Sequence, residues 1–214
     1  ITVEDEAVAN IWSDLGARWT ITEQYFKAYP VCRWAQPALE AAMSLVREHS
    51  IASEAIERVE IFTFHEGCRL AARAPLDTEQ AQYSLPFPVA SAIVTGGLGP
   101  SGVTGSALRD PEILRLSESM VLNEVEGYNA VFPEQRYAHA ALLLKDGTRC
   151  ESARHSARGD PEDHLSDAEI REKFHRFSDP VIGAERALAI EKIVDRLGTD
   201  ADLSDLHPLL TKPA

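Results

Sequence analysis

The sequence predicts an α+β fold, organised as a helix, then a mixed block from about residue 20 to 155, then helices again. The run "IERVEIFTF" (56–64) is rich in β-branched and aromatic residues, which are typical of a strand. Two extended runs meet at Asp146-Gly147, a dipeptide that supplies the positive φ of a tight hairpin turn. Apolar residues at helical spacing lie before, between and after these strands.

The first elements follow in order along the chain. Residues 4–15 form a predicted short helix that Gly16 ends, and "RWTITEQYFKAYP" is then partly extended up to Pro30. A second helix is expected from Gln36 to Glu48, with Pro37 tolerated in its first turn. Its apolar positions recur at steps of three and four, which predicts one packed face: Leu39, Ala42, Met43 and Val46.

The later elements are signalled by caps and glycines. A buried helix is expected from near Phe87 to the Gly96-Gly97 pair, followed by a flexible loop, "LGPSGVTG". Asp110 and Pro111 predict the cap and first residue of the next helix. Ser166 and Glu169 have capping-box spacing. We expect a last helix over about 181–197 and an acidic C-terminal tail.

Composition limits the classes of partner. The 214 residues are 44% hydrophobic and carry a net charge of −13, which disfavours nucleic acid and anionic lipid. No run of about 18 apolar residues and no secretory signal is apparent. The three cysteines, Cys32, Cys68 and Cys150, are far apart and odd in number, which predicts neither a disulfide framework nor a metal site. We expect a cytoplasmic protein.

The segment before the second helix collects reactive side chains in "FKAYPVCRWAQ". A helix that begins near Ala35 offers unpaired amides and a partial positive charge at its first turn. Lys27 and Arg33 precede that turn and could hold a small acid with two or three carboxylates, Arg33 in a bidentate manner. Cys32 could contact the same ligand. The alternative is that the cations are solvated and that Cys32 is a small buried apolar residue.

His65 ends the first strand, a common position for a catalytic group, and histidine transfers protons near neutral pH. The alternative is a structural or solvated histidine. Other chemistries have little support, because the sequence has no HExxH zinc spacing and no GxSxG nucleophile motif. "GGLGPSG" lacks the Gly-Lys-Ser/Thr ending of a phosphate-binding loop.

Several segments together resemble one family. "YFKAYPVCRWAQPALEAA" is similar to the lysine-aromatic-proline-x-Cys/His segment of the MmgE/PrpD family, which includes 2-methylcitrate dehydratases, cis-aconitate decarboxylases and iminodisuccinate epimerases. "IERVEIFTFHEG", "DTEQAQYSLPFPVASAIVTGG" and "LKDGTRCESARHSARGDPEDHLSDAEIREKF" resemble its later segments in the same order, over about 16–197.

The resemblance implies an all-helical domain with a smaller α+β lid that has an antiparallel sheet and packed helices. Residues 1–15 would belong to the helical domain, 16–154 to the lid, and 155–214 to C-terminal helices that return to the helical domain. The chain would be a C-terminal half, and the family's N-terminal half would supply most of the acid-base groups. The resemblance implies no metal and no organic cofactor.

Carried over by position, Lys27 matches the family's active-site lysine on the lid hinge. Cys32 stands where the decarboxylases have a histidine, which favours a dehydratase or an epimerase. Cys68 falls near a decarboxylase tyrosine. His65 and Arg33 come from local chemistry, so the predicted catalytic residues are Lys27 and His65, and the predicted substrate-binding residues are Lys27, Cys32, Arg33 and Cys68.

The expected function is therefore a lyase, similar to 2-methylcitrate dehydratase, that acts on a small di- or tricarboxylic acid by acid-base chemistry. Alternatives are an epimerase or decarboxylase of the same family, a carboxylate-binding module without catalysis, and a structural subunit without a ligand. The apolar side chains of Ile11, Trp12 and Leu15 would need a partner, so we expect a homo-oligomer or a companion N-terminal half.

Overall fold

The computed structural model describes residues 12–200 and 202–211. Most of the helix predicted over 4–15 lies outside these residues, and residues 12–17 form turns. The segment that follows has one 3-10 turn, Thr20–Glu23, and no strand up to Pro30. Among the described residues, no helix combines the length and the apolar character needed to cross a bilayer.

The helices of the described residues are numbered in chain order. They are α1 (Gln36–His49), α2 (His65–Cys68), α3 (Thr78–Gln82), α4 (Pro86–Thr95), α5 (Pro111–Ser119), α6 (Glu126–Asn129), α7 (Asp167–Ile182), α8 (Ala184–Val194) and α9 (Leu203–Thr211). The 3-10 turn Arg33–Ala35 leads directly into α1.

Five strands form one sheet: β1 (Ile56–Thr63), β2 (Val121–Glu124), β3 (Tyr137–Leu144), β4 (Arg149–Glu151) and β5 (His155–Ser156). The order is β2-β1-β3-β4, and β5 pairs with β3 beyond the end of β4. These strands and helices confirm the α+β class. The sheet is mixed rather than purely antiparallel, because β2 pairs in parallel with β1. A parallel neighbour needs a long crossover, and α2 to α5 provide it.

The core lies on one face of the sheet. On β1, Val59 and Ile61 are fully buried on one face, whereas Glu60 on the other face pairs with Arg58 and Arg149. α1 and α5 contact the sheet directly, and α4 packs on both helices. The side chains that fill this layer are buried and apolar: Leu39, Leu45, Phe87, Ile113 and Leu116.

The local signals of the sequence are confirmed at most helix ends. The Asp110 carboxylate accepts from the amides of Glu112 and Ile113, which caps α5. Ser166 and Glu169 form both bonds of a capping box at α7. The hairpin turns at Asp146 and Gly147, and Gly147 has a φ of +88°.

One prediction about a loop was wrong, and the structure defines two predicted C-terminal elements more closely. The segment 98–109 is not a flexible loop, because it contains two 3-10 turns, Pro100–Val103 and Gly105–Arg109, and buries Val103. The acidic tail includes helix α9. The helix expected at 181–197 is α8, which begins at Ala184 because Gly183, with a φ of +83°, separates it from α7.

The C-terminal helices pack chiefly on one another. α8 contacts both α7 and α9. His175 of α7 joins the pair through its Nε2, 2.8 Å from Glu191 Oε2 of α8. Arg176 reaches from α7 to the carbonyl oxygen of Ala28, at 2.9 Å. The division into a lid and returning helices stays a prediction.

Candidate functional site

A cavity of about 380 Å³ opens beside the segment that leads into α1. Among the described residues that line it, the charged side chains are those of Lys27 and Arg33, and none is a carboxylate. The lining residues are Tyr25, Lys27, Pro30, Val31, Cys32, Arg33, Trp34, Gln82 and Tyr83. In a chain with a net charge of −13, this is a local site suited to an anion.

Lys27 lies on an irregular stretch between the 3-10 turn Thr20–Glu23 and Pro30, and its side chain is exposed. The backbone of the preceding residue is held in place, because the amide of Phe26 donates to the carbonyl oxygen of Gly159 at 2.9 Å. Among the described residues, no carboxylate forms an ion pair with Lys27. The ammonium group is therefore available to a ligand in the cavity.

Cys32 is half-buried in the same lining. Its amide donates to the carbonyl oxygen of Gln82 at 2.8 Å, which joins this segment to the end of α3. Its own carbonyl oxygen accepts from the amide of Ala35 at 3.1 Å, within the 3-10 turn. Both contacts fix the backbone and leave the thiol beside the cavity.

The side chain of Arg33 is only 6% exposed. Its Nη2 donates to the carbonyl oxygen of Ala157 at 2.9 Å and to Asp160 Oδ2. The ring of Tyr25 covers the guanidinium, with its centroid 3.9 Å from Cζ. The Nε and Nη1 atoms are buried without a partner among the described residues. Burial lowers the pKa of Arg33, and the charge of Asp160 opposes this shift.

This arrangement differs from the expected bidentate grip of Arg33 on a carboxylate. Either two-nitrogen edge of a guanidinium includes Nη2, and both hydrogens of that atom are used by Ala157 and Asp160. Only Nε and Nη1 remain, and they do not share an edge. The role of Arg33 in binding substrate stays a prediction. Such binding would use one hydrogen bond from Nε or from Nη1, or it would require that the substrate displace Asp160.

The expected amide site at the start of α1 is not present. The amide of Ala35 is bonded to Cys32, and that of Gln36 is bonded to Arg33, because the 3-10 turn continues directly into the helix. Pro37 has no N–H to offer. Ala35 and Ala38 are fully buried, so the helix start is covered rather than open to a ligand. The start of α1 itself is therefore closed to a ligand.

His65 and Cys68 lie on α2 and are not among the residues that line this cavity. His65 begins the helix instead of ending the strand, and its Nδ1 lies 2.9 Å from Glu124 Oε2. Its amide donates to Asn129 Oδ1 at 2.7 Å. Burial raises the pKa of the Cys68 thiol, and the charge of Glu124 adds to this. The structure therefore brings together Lys27, Cys32 and Arg33, but not these two residues.

Sequence reasoning missed the aromatic and amide side chains of the cavity, namely Tyr25, Trp34, Gln82 and Tyr83. Gln82 and Tyr83 stand in the segment "DTEQAQYSLPF", which the resemblance included without a role for either residue. The bond between Cys32 and Gln82 brings this segment to the site. No spacing rule connects residues 50 positions apart, so only the fold reveals them.

Comparison with known families decides which group of proteins this chain resembles. The model of the MmgE/PrpD C-terminal domain matches residues 29–199, well over half of the chain. The chain belongs to the MmgE/PrpD family. No curated protein matches the sequence.

The MmgE/PrpD match includes Cys32, Arg33, His65 and Cys68, and it begins two residues after Lys27. Membership of the family is consistent with dehydratase, other lyase or epimerase chemistry. The match to the C-terminal domain also confirms the prediction that the chain resembles the second half of a MmgE/PrpD protein. It assigns no substrate and no residue roles.

Proposed function

We propose that this chain forms part of the substrate site of a MmgE/PrpD-type lyase, similar to 2-methylcitrate dehydratase, which acts on a small di- or tricarboxylic acid. The observation that carries the proposal is a cavity lined by Lys27, which forms no ion pair among the described residues, and by no carboxylate of those residues. The family match supports the class of reaction. The remaining acid-base groups would come from an N-terminal helical half, in the same chain or a companion.

In such a dehydration, a base removes the proton next to a carboxylate, and a general acid protonates the departing hydroxyl so that it leaves as water. Negative charge develops on the carboxylate side of the substrate during this step, and a fixed cation stabilises it. We assign this role to Lys27, which lines the cavity and has no competing ion pair among the described residues. Cys32 would contact the substrate beside it.

The sites expected at His65 and Cys68 have less support. His65 is paired with Glu124, outside the cavity lining, so it would need a rearrangement to reach a substrate held by Lys27. Its catalytic role and the binding role of Cys68 stay predictions. Proton transfer by the N-terminal half is the simpler assignment.

The test is the binding of tricarballylate, an unreactive tricarboxylate, measured by calorimetry at low salt. Lys27→Met should weaken binding at least tenfold, because a hydrogen bond to a charged group contributes about 1.5–3 kcal/mol. Lys192→Met is the matched control, since it removes the same charge from an exposed position on α8. Equal affinity of the Lys27→Met variant and the control would refute the proposal.

Turnover separates catalysis from simple binding. When the N-terminal half is present, candidate acids such as 2-methylcitrate should be dehydrated, and Lys27→Met should abolish the reaction. If tricarballylate binds through Lys27 but no acid is converted in the completed protein, a carboxylate-binding module is the better description.

A further inference from the structure

The backbone around Lys27 is held by a second segment of the chain, residues 157–160, more than 120 positions away. The amide of Phe26 donates to the carbonyl oxygen of Gly159 at 2.9 Å. On the other side of Lys27, Arg33 donates to Ala157 and pairs with Asp160. The stretch that carries Lys27 is thus fixed at both ends by the same short segment.

Gly159 permits this close approach. Its φ of +108° belongs to the region that favours glycine, and a Cβ at this position would overlap the carbonyl oxygen of Phe26. Gly159 is also buried. Any side chain here would therefore separate the two segments.

The segment that holds Lys27 forms a hydrogen-bonded turn. The amide of Gly159 donates to the carbonyl oxygen of Asp163 at 2.8 Å, and the amide of Asp163 donates to the carbonyl oxygen of Asp160 at 3.1 Å. These bonds direct the Asp160 carboxylate towards Arg33. Because the Arg33 side chain is 6% exposed, its charge needs a buried or half-buried partner, and Asp160 provides one.

We propose that Gly159 and Asp160 are positioning residues, which fix the Phe26–Arg33 segment so that Lys27 faces the cavity. This inference rests on the proposed function, because it takes Lys27 as the group that binds the carboxylate. Neither residue lines the Lys27 cavity, so they act through Phe26 and Arg33 and not by touching the substrate. Asp160 lines instead a second cavity, which Arg33 also lines.

The proposal predicts an effect opposite to that of simple electrostatics. Removing a negative charge near a cationic cavity should strengthen the binding of an anion. If Asp160 positions Lys27, Asp160→Asn should instead weaken tricarballylate binding at least threefold, and Asp160→Glu should recover part of the loss. Glu162→Gln is the matched control, because this exposed carboxylate lines the same second cavity but forms no ion pair among the described residues.

A double-mutant cycle tests whether the effect passes through Lys27. Asp160→Asn should lose its effect in the Lys27→Met background, since the group that it positions is gone. The same loss in both backgrounds, or tighter binding by Asp160→Asn, would overturn the proposal. If Lys27→Met leaves binding unchanged, the proposed function fails. A second measurement then still tests whether Gly159 and Asp160 position the Phe26–Arg33 segment.

That measurement needs no ligand. Two rates report how firmly the Phe26–Arg33 segment is held. They are the rate of amide hydrogen exchange at Phe26 and the rate at which an acylating reagent modifies Lys27. Gly159→Ala and Asp160→Asn should raise the exchange at Phe26 at least tenfold and change the labelling of Lys27, whereas Glu162→Gln should not. Exchange and labelling that match the wild type in both variants would refute the proposal, whatever the chain binds.

Discussion

The packing of residues 98–109 on α4 can be tested at Gly102, which is buried against that helix. A Cβ built at Gly102 would lie 2.8 Å from Ser91 Oγ and 2.9 Å from Leu98 Cδ1. The hydroxyl of Ser91 also donates to the carbonyl oxygen of Gly102 at 2.8 Å, and Ser91 is fully buried. An alanine at this position must therefore displace a hydrogen-bonded side chain.

Gly102→Ala should lower the free energy of unfolding by about 2 kcal/mol. Overpacking of a closed site costs about 1–3 kcal/mol, and disturbing a hydrogen bond contributes about 0.5–1.5 kcal/mol. Gly97→Ala, just before this segment, is the matched control, because nothing lies within 4 Å of a Cβ there and its φ is not in the left-handed region. The control should change stability by less than about 0.5 kcal/mol.

The assay is urea unfolding followed by far-ultraviolet circular dichroism, with the free energy taken from the midpoint and slope. In a Ser91→Ala background, the cost of Gly102→Ala should fall by at least about 1 kcal/mol, because only the terminal Cδ1 methyl group of Leu98 remains within 3 Å of the new Cβ. Two results would refute the reasoning. One is a loss of stability in Gly102→Ala that equals the loss in the Gly97 control, and the other is a loss in Gly102→Ala that stays the same when Ser91 is replaced by alanine.

Two further predictions concern the core and the C-terminal helices. Leu39→Ala should cost about 2–5 kcal/mol in the same urea assay, because Leu39 is fully buried under the sheet; a loss under 1 kcal/mol would contradict its place in the core. The imidazole of His175 bonds the carboxylates of Glu191 and Asp179, and these bonds raise the pKa of His175 above 6.5. The stabilisation by His175 is therefore complete below pH 6.5, and it is lost as the pH rises through the raised pKa. Denaturation of the wild type and His175→Gln should therefore differ most near pH 6 and least near pH 9, and a difference that grows with pH would contradict the ion pairs.

The candidate site was only partly readable from the sequence. Lys27, Cys32 and Arg33 were found because they stand within seven positions of one another and because the segment resembles one family. The burial and ion pairing of Arg33 could not be predicted from the sequence. Its partner Asp160 lies 127 positions away, and whether its charge is free or paired depends on how the chain returns to that place.

His65 shows the limit of strand-end reasoning. The pattern correctly ended β1 near Phe64, but the position of a side chain beyond a strand depends on what packs there. In the structure Glu124, at the end of β2, and Asn129 of α6 hold His65. β2 is a strand of four residues that pairs only through a crossover, so its own sequence carries little signal.

The sequence by itself determined the helix caps, the hairpin turn, the apolar faces and the α+β class, because each of these depends on residues within a few positions of one another. The tertiary structure alone decided that β2 joins the sheet in parallel, that the start of α1 is closed to a ligand, and that residues 157–160 hold the Lys27 segment. These features depend on contacts between distant parts of the chain. Their free energy comes from burial and pairing, which local sequence patterns do not specify.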